Sequence, residues 1–212
     1  SLHEQFRRDA KEVGATFEFY QTSDLKKVSD DPLIFTYKEK TYTLSLLGDY
    51  QLLNALLSIK AIHYLFPDIS DEMIQLGLLK TSWPGRLEKL EDQIYLDGAH
   101  NTHAIEQINL LSKTLFKDKK MIVIFSALAD KEIDKMLEIV KKFASKIILT
   151  SFDDMRYVSL KPYENHDIAY IEKIEDAIIY AKKILDQDSV ILFTGSLHFA
   201  GFIKKLYLIK QP

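Results

Sequence analysis

Cysteine is absent from the 212 residues. Its absence excludes a disulfide, a thiolate metal site and a cysteine nucleophile, and it fits a reducing cytoplasm. Long apolar runs are missing too. Nothing continuously apolar is longer than a strand, far short of the roughly 20 residues a membrane-crossing helix needs. The opening "SLHEQFRRDA" also lacks the apolar core of a signal peptide. An excess of one charge is lacking as well, since 28 Lys and Arg face 31 Asp and Glu, for a net charge of −3. That balance offers no general attraction to nucleic acid or to an anionic membrane, so any phosphate site is local. There is no internal repeat, no low-complexity tract, no G-x-x-x-x-G-K-S/T phosphate loop and no G-x-G-x-x-G. His100 and His103 stand three apart without a third ligand, so no metal site is expected in these residues. The first residue is Ser1, not Met, and the chain is expected to be a processed or truncated piece.

What remains is the mixture of a soluble globular protein, 47% hydrophobic and 28% charged. The length suits one large domain, or one domain with part of another. The sharpest break is "TSWPG", Thr81 to Gly85. Before it, "DYQLLNALLSIKAIHYLF" predicts a mostly buried helix, and Ser70 followed by Asp71 and Glu72 predicts the start of a second. The segments "ATFEFY", "LIFTYK" and "KTYTLSL" alternate and read as strands, with a polar turn at Lys38 to Lys40. After Pro84, the apolar runs "QIYL", "KMIVIFSAL", "KIILT", "IAYI" and "SVILFTG" alternate with helical stretches near 102–116, 133–143, 174–185 and 197–208. Continuous apolar strands imply burial on both faces. The fold class expected is therefore α/β, a mainly parallel Rossmann-like sheet with helices on both faces over 84–212. Residues 1–80 read as the closing part of another, larger domain.

In an open α/β sheet, ligands gather at the carboxyl ends of the strands. "YLDGAHNTHA" lies at such an end. Gly98 lets backbone approach a ligand, and the helix start beyond it offers free N–H groups to an anion. Asp97 can accept from ribose hydroxyls and His100 can donate to a phosphate or acyl phosphate, while the plainer alternative is a helix cap and a structural histidine. Arg86 in "WPGRLE" can grip a phosphate bidentately, or pair with Glu88 at the surface. Gln51 and Asn54 share one helix face and can read a purine edge, or merely cap the helix. Lys131 in "ALADKEID", and Ser196 with His198 in "FTGSLHFAG", follow strands in the same way. They can bind a substrate carboxylate, or be an exposed ion pair and an N-cap.

In this order, "LGDYQLLNALLSIKAI", "WPGRLEKL", "IYLDGAHNTHA", "SALADKE" and "FTGSLHFAG" resemble the C-terminal part of the folylpolyglutamate synthase and dihydrofolate synthase family, within the Mur ligase superfamily. The likeness covers almost the whole chain, and "PGRLE" followed by "DGAHN" is specific to the folate branch. Thr102 departs from the proline common there. The resemblance implies an ATP-dependent acid–amino acid ligase that joins L-glutamate to a folate or to dihydropteroate through an acyl phosphate. It implies that Asn54 faces adenine, Arg86 the phosphates, Asp97 the ribose, and His100 the phosphates and the developing charge as a catalytic group. Lys131 and Ser196 then contact the incoming amino acid. It further implies a cytoplasmic, monomeric parent that binds neither nucleic acid nor membrane. On this reading 1–80 is the remainder of the ATPase domain and 84–212 the glutamate ligase domain. The phosphate loop and the ligands of Mg lie upstream, and this piece alone has no ligase activity. Two alternatives stand beside it, a cell-wall amino acid ligase of the same superfamily and a non-catalytic α/β binding module.

Overall fold

The computed structural model describes residues 2–19 and 22–209. The chain opens with α1 (Leu2–Glu12), none of whose side chains is buried. Residues 15–19, expected within the strand "ATFEFY", form neither helix nor strand, and Tyr20 lies outside the described residues. Their alternating aromatics serve another purpose: Phe19 meets His3 of α1 edge-on at 5.6 Å, and the Arg7 guanidinium stands 5.9 Å from its ring.

A three-stranded antiparallel sheet follows, in the order β1 (Leu25–Asp30), β2 (Leu33–Tyr37), β3 (Lys40–Leu44). The β2–β3 turn falls where expected. Lys38 and Glu39 both have positive φ, 47° and 65°, the backbone a two-residue turn needs to match the strand twist. Two helices, α2 (Tyr50–Leu65) and α3 (Asp71–Lys80), cover one face, and Phe35, Leu44, Leu56, Ile59 and Leu78 share the resulting core. Ser70 caps α3, its hydroxyl accepting the Met73 N–H at 3.4 Å. The expectation of a mostly buried α2 is only half met: Leu52, Leu56 and Ile59 are inside, whereas Leu57 and Leu65 are exposed.

The rest of the chain forms a six-stranded sheet. Its strands are β4 (Glu88–Glu91), β5 (Ile94–Leu96), β6 (Lys120–Phe125), β7 (Ala144–Leu149), β8 (Ile168–Tyr170) and β9 (Ser189–Thr194), in the order β4-β5-β9-β6-β7-β8. All neighbours run parallel except the edge pair β4–β5. Side chains alternate between two cores. Met121, Val123, Phe125, Val190 and Leu192 face α4 (Thr102–Leu111) and α5 (Ile133–Val140). Ile122, Ile124, Ile191 and Phe193 face α6 (Ile174–Ile184) and α7 (Leu197–Ile209). This is the mixed α/β architecture with helices on both faces that the continuous apolar strands imply. Because β9 inserts between β5 and β6, the winding direction reverses there, and the loops after β5, β6 and β9 converge at one edge of the sheet.

Candidate active site

A cleft of about 830 Å³ opens beside the end of β5, a volume suited to a small-molecule ligand. Its wall is drawn from both cores: Tyr50, Gln51 and Asn54 from α2, Trp83 and Arg86 from the connecting turn, Asp97 from the end of β5, and His103 and Gln107 from α4. Four residues singled out in the sequence, Gln51, Asn54, Arg86 and Asp97, therefore meet on one surface although 46 positions separate the first from the last. Asn54 donates from Nδ2 to Oε1 of Gln51 at 2.8 Å, so the two amides present a joined edge. Burial pushes the Tyr50 hydroxyl far above its ordinary range, with the Asp97 charge adding and Arg86 opposing, so it stays a neutral phenol.

Arg86 is held in an unusual backbone frame. The turn closes with its N–H donating to the Trp83 carbonyl at 3.2 Å, and its neighbours Gly85 and Leu87 both have positive φ, 70° and 43°. For Leu87, 1% exposed, the left-handed region is strained and must be held by its surroundings. Asp97 does the holding. Its Oδ2 accepts the Leu87 N–H and its Oδ1 the Ala99 N–H, each at 2.8 Å. Burial raises the Asp97 carboxyl above its ordinary value, while these two N–H groups, Arg86 and His100 pull it back. Gly98 is also placed by packing: a Cβ there would lie 2.7 Å from Leu197 and 3.3 Å from the Gly85 carbonyl. The glycine admits neighbouring protein rather than a ligand. Glu88 does not pair with Arg86, since it binds Lys204 and the Gly85 N–H instead.

At the loop after β5, two of the plainer alternatives describe real contacts. Asn101 caps α4, its Oδ1 accepting the Ala104 N–H at 2.8 Å. His100 is half-buried, with Nδ1 3.0 Å from the Gly98 carbonyl. Because a carbonyl only accepts, Nδ1 carries a proton and Nε2 is the nitrogen left for another partner. His100 is not among the residues lining the cleft, although it sits three positions from Asp97.

Lys131 and Ser196 belong to a second group, at the ends of β6 and β9. Lys131 pairs with Asp130 at 2.6 Å. Ser196, 1% exposed, accepts the His198 N–H at 3.1 Å and so caps α7. Beside it lies Arg156, which the sequence reading missed. Its Nη2 is 2.8 Å from Nε2 of His198, and Asp154 accepts the Arg156 N–H at 2.9 Å and faces Nδ1 of His198 at 3.1 Å. The Arg156 N–H, then its guanidinium and His198, hold the Asp154 carboxyl below its ordinary value. The signal that could have found Arg156 was its place after the strand "KIILT", the same rule that picked out Lys131. Tyr50, Trp83, His103 and Gln107 join the cleft with no such signal.

Among the described residues, no group of three or more His, Asp or Glu side chains is placed to hold a metal ion, and no helix is long and apolar enough to cross a membrane. Asp97, the carboxylate on the cleft, spends both oxygens on backbone N–H groups. The residues present do not fit a magnesium site.

The architecture defines an α/β domain of the doubly wound kind. More narrowly, residues 85–197 match the family described as Mur ligase, glutamate ligase domain, and the chain belongs to that family. It is 36% identical over 184 residues to the dihydrofolate synthase/folylpolyglutamate synthase of Bacillus subtilis, an alignment covering 81% of this chain and 43% of that protein. It is 29% identical over 182 residues to the UDP-N-acetylmuramoyl-L-alanyl-D-glutamate–2,6-diaminopimelate ligase of Rickettsia conorii, covering 77% and 37%. Its fold matches that of Mycobacterium tuberculosis folylpolyglutamate synthase, solved with ADP and AMPPCP, with a TM-score of 0.84 at 19% identity, over 96% of this chain and 52% of that one. The chain spans less than half the length of these curated relatives.

Proposed function

We propose that the chain is the C-terminal part of an ATP-dependent ligase that joins L-glutamate to a folate, or to dihydropteroate. The observation that carries this reading is the convergence of Asn54, Arg86 and Asp97 on one cleft, in a chain that is 36% identical to a dihydrofolate synthase/folylpolyglutamate synthase. In the reaction, a substrate carboxylate oxygen attacks the γ-phosphorus of ATP and ADP leaves. The amino nitrogen of glutamate then attacks the acyl phosphate carbon, phosphate departs and the nitrogen loses a proton. No covalent enzyme intermediate is needed, so the protein contributes positioning and charge stabilisation.

On this reading Asn54, with Gln51 behind it, faces the adenine and Arg86 grips phosphate. Asp97 meets the ribose with the lone pairs left over from its two backbone bonds. His100 presents Nε2 to the phosphates and the charge that develops there. Lys131 and Ser196, with Arg156 beside them, receive the carboxylates of the incoming glutamate. Residues 1–80 then belong to the ATPase domain and 84–212 to the glutamate ligase domain. The phosphate loop and the magnesium ligands belong to residues outside these 212. The lower identity to the diaminopimelate ligase, 29% against 36%, leaves the cell-wall reading with less support.

The test is a turnover assay on two polypeptides, the 212-residue chain and one extended upstream in its reading frame to the length of its relatives. The longer one is expected to release ADP only with both folate and L-glutamate present, and the shorter one to release none. Turnover with a UDP-muramoyl peptide and diaminopimelate, but not with folate, would replace the folate reading. Folate-dependent turnover by the short chain would overturn the division of labour.

A further inference from the structure

We propose that Lys204 and Glu88 form a strut that positions Arg86. Arg86 is flanked by Gly85 and Leu87, both with positive φ, and a released leucine returns to the right-handed or extended region and carries the arginine with it. Four contacts prevent this. Asp97 holds the Leu87 N–H, and the Gly98 N–H donates to the Gly85 carbonyl at 2.7 Å. The Gly85 N–H donates to Oε2 of Glu88 at 2.8 Å, and Oε1 of the same carboxylate accepts from Lys204 Nζ at 2.7 Å.

Only the last of these reaches outside the two loops. Lys204 lies on α7, 116 positions from Glu88, and both side chains are less than a third exposed, so the pair is shielded enough to hold one geometry. Without Lys204, Glu88 turns to solvent and the Gly85 N–H loses a fixed acceptor. The consequence reaches further than the turn, because α7 begins at the Ser196–His198 group. The strut thus ties the guanidinium on the cleft to the helix that starts at the second cluster. Its importance for catalysis rests on the reading that Arg86 contacts the nucleotide phosphates; the positioning itself does not.

The experiment compares the 212-residue chain with its Lys204→Met, Lys204→Arg and Glu88→Ala variants by NMR, following amide exchange at Gly85 and the ordering of the Arg86 Nε–H group. Lys204→Met is expected to speed Gly85 exchange by about fivefold, the size of effect a partly shielded ion pair supports, and to loosen Arg86. Lys204→Arg is expected to restore both. Amides of Ile191–Phe193 should not change in Lys204→Met, which separates a local strut from general destabilisation. An Arg86 signal and a Gly85 rate indifferent to Lys204→Met, or a change shared with β9, would overturn the strut. If Glu88→Ala fails to fold, the lysine variants still decide. A parallel titration with ADP distinguishes the two ideas. Absence of ADP binding by the parent chain, with Arg86 still responding to Lys204, removes the nucleotide reading for the isolated chain and leaves the strut standing. If ADP binds, Lys204→Met should weaken it, and should have no effect when Arg86 is already alanine.

Discussion

At the scale of single residues, Asp97 spends one carboxylate oxygen on each of two backbone N–H groups. The residue is 5% exposed, and one of the two donors belongs to a leucine held in the left-handed region. Replacing it with alanine leaves both donors buried without partners and frees Leu87 from its strained conformation. We expect Asp97→Ala to cost about 3 kcal/mol of stability, read as a lower urea midpoint at unchanged slope. A loss below about 1 kcal/mol would mean that water or the chain replaces the carboxylate at no great cost. The same residue shows what the sequence could and could not say about the site. "DGAHN" after an apolar run marks a strand end, and the position was legible because strand ends are where α/β sheets bind. The partner Leu87 was not legible: a backbone N–H ten residues away leaves no trace in residue type. Nor did the order of residues reveal that His198 would meet Asp154 and Arg156, since those two share the loop after β7 whereas His198 lies on α7, brought beside them only by the parallel sheet.

At the scale of elements, the strands and the helices they feed are squeezed where β9 passes into α7. A Cβ on Gly195 would lie 2.5 Å from the Ser126 carbonyl and 2.8 Å from the Phe125 ring, at a φ of +115° that side-chain-bearing residues rarely adopt. Neither obstacle can swing aside, because one is backbone and the other a fully buried ring. Gly98 differs: its nearest obstacle is the end of Leu197, a half-exposed and flexible side chain. We therefore expect Gly195→Ala to cost about 3 kcal/mol or more and Gly98→Ala about 1 kcal/mol, compared by urea unfolding. Equal costs would show that the β9–α7 junction is softer than its contacts imply. The elements with buried strands were also the legible ones. β6 and β9 read as continuous apolar runs because both their faces are covered. β1 (LKKVSD) and β4 (EKLE) escaped notice because each is an edge strand whose charged side chains meet water, and pairing leaves no apolar signature there. "ATFEFY" misled for the opposite reason: residues 15–19 join no sheet, and Phe19 meets His3 and Arg7 of α1 instead. Past Leu111, α4 gives way to turns, although apolar residues continue to Phe116, whose ring packs 4.9 Å from Tyr95.

At the scale of the whole molecule, the two sheets are built on different terms. The six-stranded sheet is covered on both faces, with Val123, Ile124, Leu192 and Phe193 fully out of reach of water. The three-stranded sheet shares its core with α2 and α3, and those helices leave Leu57, Leu65, Met73 and Leu79 exposed. Burial on one side of a small sheet stabilises less than burial on two sides of a large one, because the hydrophobic contribution scales with the apolar area removed from water. The cleft lies between these unequal halves, and Trp83 to Leu87 is the only covalent path from one to the other among the described residues. Native-state hydrogen exchange measures each half separately. We expect the amides of Ile122–Phe125 and Ile191–Phe193 to exchange only through global unfolding, and those of Phe35 and Tyr42 to exchange sooner, through an opening of the smaller half. Such an opening would remove Tyr50, Gln51 and Asn54 from the cleft while Asp97 stays in place. A ligand that spans the cleft should then slow exchange at Phe35 and Tyr42 more than at the central strands. If both halves exchange together with and without ligand, the molecule is a single cooperative unit, and the turn at Arg86 is a rigid joint.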